Sequence, residues 1–87
     1  MEDLLKRFET AAEDVQHLAA RPANETLLKL YGLYKQATQG DVRGKRPGFT
    51  DPVGRAKYDA WKRLAGQSRE QAMTAYVELV DALKARS

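Results

Sequence analysis

Cysteine is absent from the chain and histidine occurs once. Without thiols there is neither a disulfide nor a thiolate metal site, and a single imidazole supplies neither a Cys/His dyad nor a histidine-rich metal centre. That histidine, His17, falls near the end of the first helical pattern, where its plain roles are complementing the helix dipole or facing water. Long apolar runs are also missing: nothing approaches the roughly 18 residues that cross a bilayer, so stable membrane insertion is not expected. The N-terminal "MEDLLKRFE" is charged and lacks a long apolar stretch, so it does not read as a signal peptide. "GDVRGKR" lacks the spacing of a phosphate loop and the Ser or Thr that follows its lysine. These absences leave a soluble, cytoplasmic chain with no catalytic residue, no metal and no cofactor as the expectation.

What is present fits one small domain spanning residues 1–87. A chain of this length buries only roughly 60% of its unfolded surface, so the core is small. Its net charge of +3 is unevenly spread. Residues 1–20 carry two basic against five acidic side chains, whereas residues 21–46 carry six against two. A basic middle favours an anionic partner that docks on central elements rather than on a tail.

Four helical patterns and no alternating strand pattern run along the chain. Leu4, Phe8, Ala11, Ala12, Val15, Leu18 and Ala19 recur at three- and four-residue spacing, which predicts a first helix over about Glu2 to Leu18. Pro22 breaks it and Asn24 offers an N-cap for a second helix, about Asn24 to Gln39, which Gly40 stops. Gly40 to Asp51 reads as loop, punctuated by Gly44, Pro47 and Gly48, with Pro52 just after it. A third helix covers about Val53 to Ala65, with Trp61 and Leu64 on its inner side and Gly66 as its stop. "SREQ" marks a capping box at Ser68 and Gln71, opening a fourth helix through Met73, Tyr76, Val77, Val80 and Leu83 to the C-terminus. The crossover between helices 2 and 3 reaches about 45 Å when extended, against about 24 Å for helix 2, so it can return to the start of helix 2 and leave the two parallel. The expected fold is all-α, a four-helix bundle with one long crossover.

Helix 2 carries the feature that a core pattern does not explain. At 100° per residue, Leu30, Leu33 and Ala37 form a core stripe, while Glu25, Lys29, Gly32 and Gln36 form a solvent face. A third sector around Tyr31 holds Leu27, Leu28, Tyr34, Lys35 and Thr38. Two rings with their hydroxyls at the core edge and a snorkelling lysine would account for it structurally. A graded ligand site accounts for it as well: aromatic faces stack a heterocycle, hydroxyls and an ammonium bind phosphate, and leucines take an alkyl chain.

"PANETLLKLYGLYKQATQG", residues 22–40, resembles the signature of the acyl-CoA-binding proteins, and "RPGFTDPVGRAKYDAWKRLAGQSREQAMTAYVELV" is similar to that family's second half at matching spacing. The resemblance covers nearly the whole chain. It implies an up-down-down-up bundle that binds medium- and long-chain fatty acyl-CoA esters non-covalently, holds an intracellular acyl-CoA pool and delivers it to enzymes by transient contact. Long-chain acyl-CoA is then the expected partner; nothing in the sequence demands an oligomer, so a monomer is the simpler expectation for a carrier, and no nucleic-acid partner is expected.

The resemblance also assigns roles by position. Lys35 and Lys57 would neutralise the 3′-phosphate, with Tyr31 donating a hydrogen bond. Tyr34 would lie against the adenine, and Tyr76 would line the path to the thioester and chain. Leu27 and Leu28 fall where members contact the chain, and Phe8 and Ala12 flank the site from helix 1. Gln16 stands where several members have lysine, and Tyr58 where many have tryptophan. Two rival readings are weaker on chemistry: Ser68 is accounted for as a cap rather than a nucleophile, and Arg43, Lys45 and Arg46 beside Phe49 supply too few charges to hold a nucleic acid firmly.

Overall fold

The structure is a computed structural model and describes residues 2–86. Among these residues the elements are α1 (Glu2–Asp14), a 3₁₀ turn (Val15–His17), α2 (Asn24–Gln39), α3 (Pro52–Lys62) and α4 (Arg69–Arg86). The four α-helices run up-down-down-up, with the long crossover between α2 and α3. Helix α2 packs against both α3 and α4, and α1 packs against α4.

The core belongs to three of the helices. Phe8 and Ala11 from α1, Leu30, Leu33 and Ala37 from α2, and Ala72, Met73, Tyr76, Val77 and Val80 from α4 form one buried cluster. The predicted stripe of α2 is therefore the face that meets α4. Helix α3 contributes no fully buried side chain.

Helix ends depart from the sequence reading in ways that local chemistry explains. The first α-helix stops at Asp14 and tightens into a 3₁₀ turn before Leu18, whose ψ of 140° is extended. Such tightening is common where the last carbonyls have no other donors. Asn24 is the first residue of α2 and Ala23 precedes it as the cap, without a side-chain capping bond. Pro52 opens α3 rather than preceding it, since a proline's missing N–H is spare in the first turn. Asp51 caps that helix by accepting from the Gly54 N–H at 2.9 Å. The helix ends at Lys62, and a series of turns leads through Gly66 at φ +93°. The capping box at α4 is reciprocal: Ser68 N–H donates to Gln71 Oε1 at 2.9 Å and Gln71 N–H to Ser68 Oγ at 3.0 Å. Ser87, at the end of the reading of helix 4, lies outside the described residues.

The expected solvent face of α2 is the clearest correction. Gly32 and Gln36 are buried, because α3 and the turn after it lie over them. A Cβ on Gly32 would sit 2.8 Å from the Ala60 carbonyl oxygen, so the two parallel helices cross at near backbone contact. Gln36 is 0% exposed. Its Nε2 donates to Asp41 Oδ1 at 2.8 Å and to the Gln67 carbonyl at 2.9 Å. Asp41 Oδ1 also accepts from the Gly66 N–H at 2.9 Å. That backbone donor, followed by the Gln36 amide, holds the Asp41 carboxyl below its ordinary pKa.

The crossover is fastened along its length. Trp61 Nε1 donates to the Gly40 carbonyl at 2.8 Å, and the Tyr58 hydroxyl donates to the Gly44 carbonyl at 3.0 Å. Arg46 forms a two-pronged pair with Asp59, at 2.9 and 2.7 Å.

The Gly32 crossing gives a test. In an isolated helix Gly→Ala gains about 1 kcal/mol. Here Gly32→Ala meets a backbone carbonyl and is expected to lose about 1–3 kcal/mol, as overpacking does. Urea unfolding of the variant measures the sign, and a gain in stability would show that the helices separate freely.

Candidate functional site

Tyr31, Lys35 and Lys57 meet where α2 and α3 run side by side. Tyr31 and Lys35 are one turn apart on α2, and Lys57 reaches across from α3. The Lys57 Nζ lies 5.4 Å from the Tyr31 ring centre and the Lys35 Nζ 5.9 Å from it. The Lys35 ammonium also stands 5.2 Å from the Trp61 ring centre. Aromatic faces attract cations through the ring quadrupole, which holds two like charges near one another with no carboxylate between them. Two ammonium groups so placed form an electropositive spot that an anion such as phosphate fits.

A second aromatic group adjoins the first. Phe8, Tyr34 and Tyr76 come from α1, α2 and α4, and their rings form a triangle. Phe8 stacks on Tyr34 with centroids 5.5 Å apart and an interplanar angle of 26°. Phe8 meets Tyr76 edge-on at 5.1 Å, and Tyr34 and Tyr76 are 6.0 Å apart. Offset and edge-on rings at these separations attract beyond their area burial. Tyr34 is 43% exposed, whereas Phe8 and Tyr76 are buried. Tyr34 is thus the ring of the three that solvent reaches, and the other two lie beneath it.

The remaining residues divide. Leu27 and Ala12 are partly buried and pack against the core beside this face. Leu28 lies at the α2–α3 seam, bordering a groove of about 610 Å³ with Lys29, Ala56, Ala60 and Leu64. That groove also holds Glu25, which belongs to the opposite flank of α2 from Tyr34. Beside Phe8 and Tyr34 a shallower hollow of about 450 Å³ opens toward Leu5, Glu9, Arg69 and Met73.

Sequence reasoning placed Trp61 inside helix 3 and overlooked its part in the site. Its indole anchors Gly40 through the N–H and lends its face to Lys35. The signal was available, since Lys57 and Trp61 are four apart and share a side of α3.

A four-helix bundle with a cationic and aromatic face spread over its helices defines a small helical binding domain. The family described as acyl CoA binding protein matches residues 5–80. A Gallus gallus acyl-CoA-binding domain-containing protein 5 is 53% identical over 76 residues, covering 83% of this chain and 15% of that protein. The Mus musculus protein of the same name is 50% identical over 76 residues, with the same two coverages of 83% and 15%. The chain thus spans about 15% of the length of these curated relatives. Among solved structures, Oryza sativa acyl-CoA-binding protein 2 superposes with a TM-score of 0.93 at 44% identity, covering 98% of this chain and 92% of that one. The protein from Moniliophthora perniciosa superposes at 0.85 with 41% identity, covering 90% and 77%. The chain belongs to the acyl-CoA-binding protein family.

Burial, and secondly the neighbouring Tyr34, raises the Tyr76 pKa. The fold therefore favours the neutral phenol. Its contribution to stability is complete below the ordinary tyrosine value of about 10 and is lost as pH rises through the raised value. Thermal unfolding followed from neutral to strongly alkaline pH is expected to show a steeper alkaline loss for the parent chain than for Tyr76→Phe. Equal slopes would mean that Tyr76 ionises freely in the folded state.

Proposed function

We propose that the chain binds medium- and long-chain fatty acyl-CoA esters non-covalently and serves as an intracellular acyl-CoA carrier and pool former, without catalysing a reaction. The observation that carries this reading is the meeting of Lys35 and Lys57, from two helices, on the Tyr31 ring. The phosphate of the nucleotide end goes to the two ammonium groups. The adenine lies against Tyr34, and Tyr31 adds its hydroxyl. The thioester and chain run toward Tyr76, Leu27, Leu28, Phe8 and Ala12. On this assignment Tyr76 lines that path and Phe8 flanks it, both also packing against Tyr34, and Leu28 meets the chain at the edge of the α2–α3 seam.

The ester gains over free CoA through its tail. Burial of a methylene is worth about 0.8 kcal/mol, so ten of them offer about 8 kcal/mol before ordering costs. Nanomolar affinity needs only about 12 kcal/mol in all. The head group sets the register and the chain supplies much of the affinity. In this role the protein works as a monomer in the cytoplasm, handing its ligand to acyl-CoA-using enzymes by transient contact.

Calorimetric titration from free CoA through esters of increasing chain length tests binding and tail dependence together, with affinity expected to rise along the series. Lys35→Ala and Tyr31→Phe are each expected to weaken palmitoyl-CoA binding while leaving the melting temperature nearly unchanged. Unchanged affinity in both variants overturns the site assignment, and release of free CoA during incubation overturns the carrier reading.

A further inference from the structure

We infer that the tip of the crossover and the start of α3 form a peripheral docking surface for an anionic lipid bilayer. Phe49 is 88% exposed and Val53 63% exposed, the two most exposed of the large hydrophobic residues. They lie four residues apart, with the exposed Pro52 between them. No part of the proposed ligand site uses either one.

Charge complementarity names the occupant. Between residues 43 and 57 there are five basic side chains and one acidic one. The acidic one, Asp51, is engaged as the α3 cap. Among the basic ones, Arg46 is taken up by Asp59. Arg43, Lys45, Arg55 and Lys57 have no carboxylate partner among the ion pairs of the described residues. The Arg55 guanidinium carbon stands 4.9 Å from the centre of the Phe49 ring, so a cation and an exposed aromatic form one unit.

An aromatic ring with cations beside it suits the headgroup layer, where rings sit at the interface and basic side chains are drawn to acidic lipids. A nucleic acid fits less well, because beyond the Phe49 ring the patch continues as the aliphatic surface of Pro52 and Val53, which offers a base no further stacking plane. Docking here is superficial, consistent with the absence among the described residues of any helix long and apolar enough to cross a membrane. Val53 lies one turn before Lys57, so the docked face brings the α2–α3 edge toward the lipid. That last consequence rests on the acyl-CoA reading; the docking itself does not.

Sedimentation with vesicles tests it without any acyl-CoA present. The 87-residue chain is mixed with vesicles of phosphatidylcholine alone, or of phosphatidylcholine and phosphatidylglycerol at two to one, in low and in high salt. Binding is expected to the mixed vesicles in low salt, weakly or not at all to the neutral ones, and to fall in high salt. The double variant Phe49→Ala, Val53→Ser is expected to reduce the partition coefficient about tenfold. Lys45→Glu is expected to reduce it as well. Both variants change exposed side chains, and retained palmitoyl-CoA binding separates a lost membrane contact from a lost ligand site. Equal binding to both vesicle types, or a double variant that partitions like the parent, overturns the proposal. So does single-stranded RNA that binds the parent chain more tightly than the mixed vesicles do and is lost on Phe49→Ala.

Discussion

The amide of Gln36 ties together segments that no apolar contact would join. It is buried at the C-terminal end of α2 and donates at once to Asp41, just past the helix, and to Gln67, in the turn before α4. Both partners accept, so the nitrogen end of the amide is fixed. A buried polar group that kept neither bond would cost about 1–3 kcal/mol, which makes the arrangement hard to vary. Asp41 in turn accepts from Gly66, so the start of the crossover and the end of the α3 turn are held at one point. The direction in which the crossover leaves α2, and the place where α4 begins, both follow.

From that fixed point the site's geometry is a matter of helix proximity. Gly32 lets α3 lie against α2 at near backbone contact. Only at this spacing does Lys57 reach the Tyr31 ring from the opposite helix. Repulsion between Lys35 and Lys57 is tempered by the rings of Tyr31 and Trp61 rather than by acids. An acid there would satisfy the lysines and repel a phosphate. Rings leave both charges available to an incoming anion.

Much of this was legible from residue order. The core stripe of Leu30, Leu33 and Ala37 follows from a 3.6-residue period and was found in place. The capping box at Ser68 depends only on contacts within one turn, and local rules describe such contacts well. Gln36 and Gly32 were misplaced on a solvent face because a polar amide and a glycine carry no apolar signal; their burial is imposed by α3, which comes from elsewhere in the chain. The convergence of Tyr34 with Phe8 and Tyr76 likewise joins three helices and is invisible to periodicity along one. Leu28 shared an angular sector with the tyrosines, yet the close approach of α3 carries it to the seam.

Helix α3 adds nothing to the buried cluster, and its side chains Tyr58, Asp59 and Trp61 hold the crossover at Gly44, Arg46 and Gly40. Loop and helix therefore form one unit, laid over Gly32 and Gln36 on the outer side of the three-helix core. Segments with few buried apolar contacts open at lower free energy than the rest of a domain. When this unit opens, Lys57 leaves Tyr31 and the two-lysine spot disappears as a whole, so the site exists only in the closed population. An anion that bridges Lys35 and Lys57 would shut the unit by mass action, making local order in α3 a direct readout of occupancy.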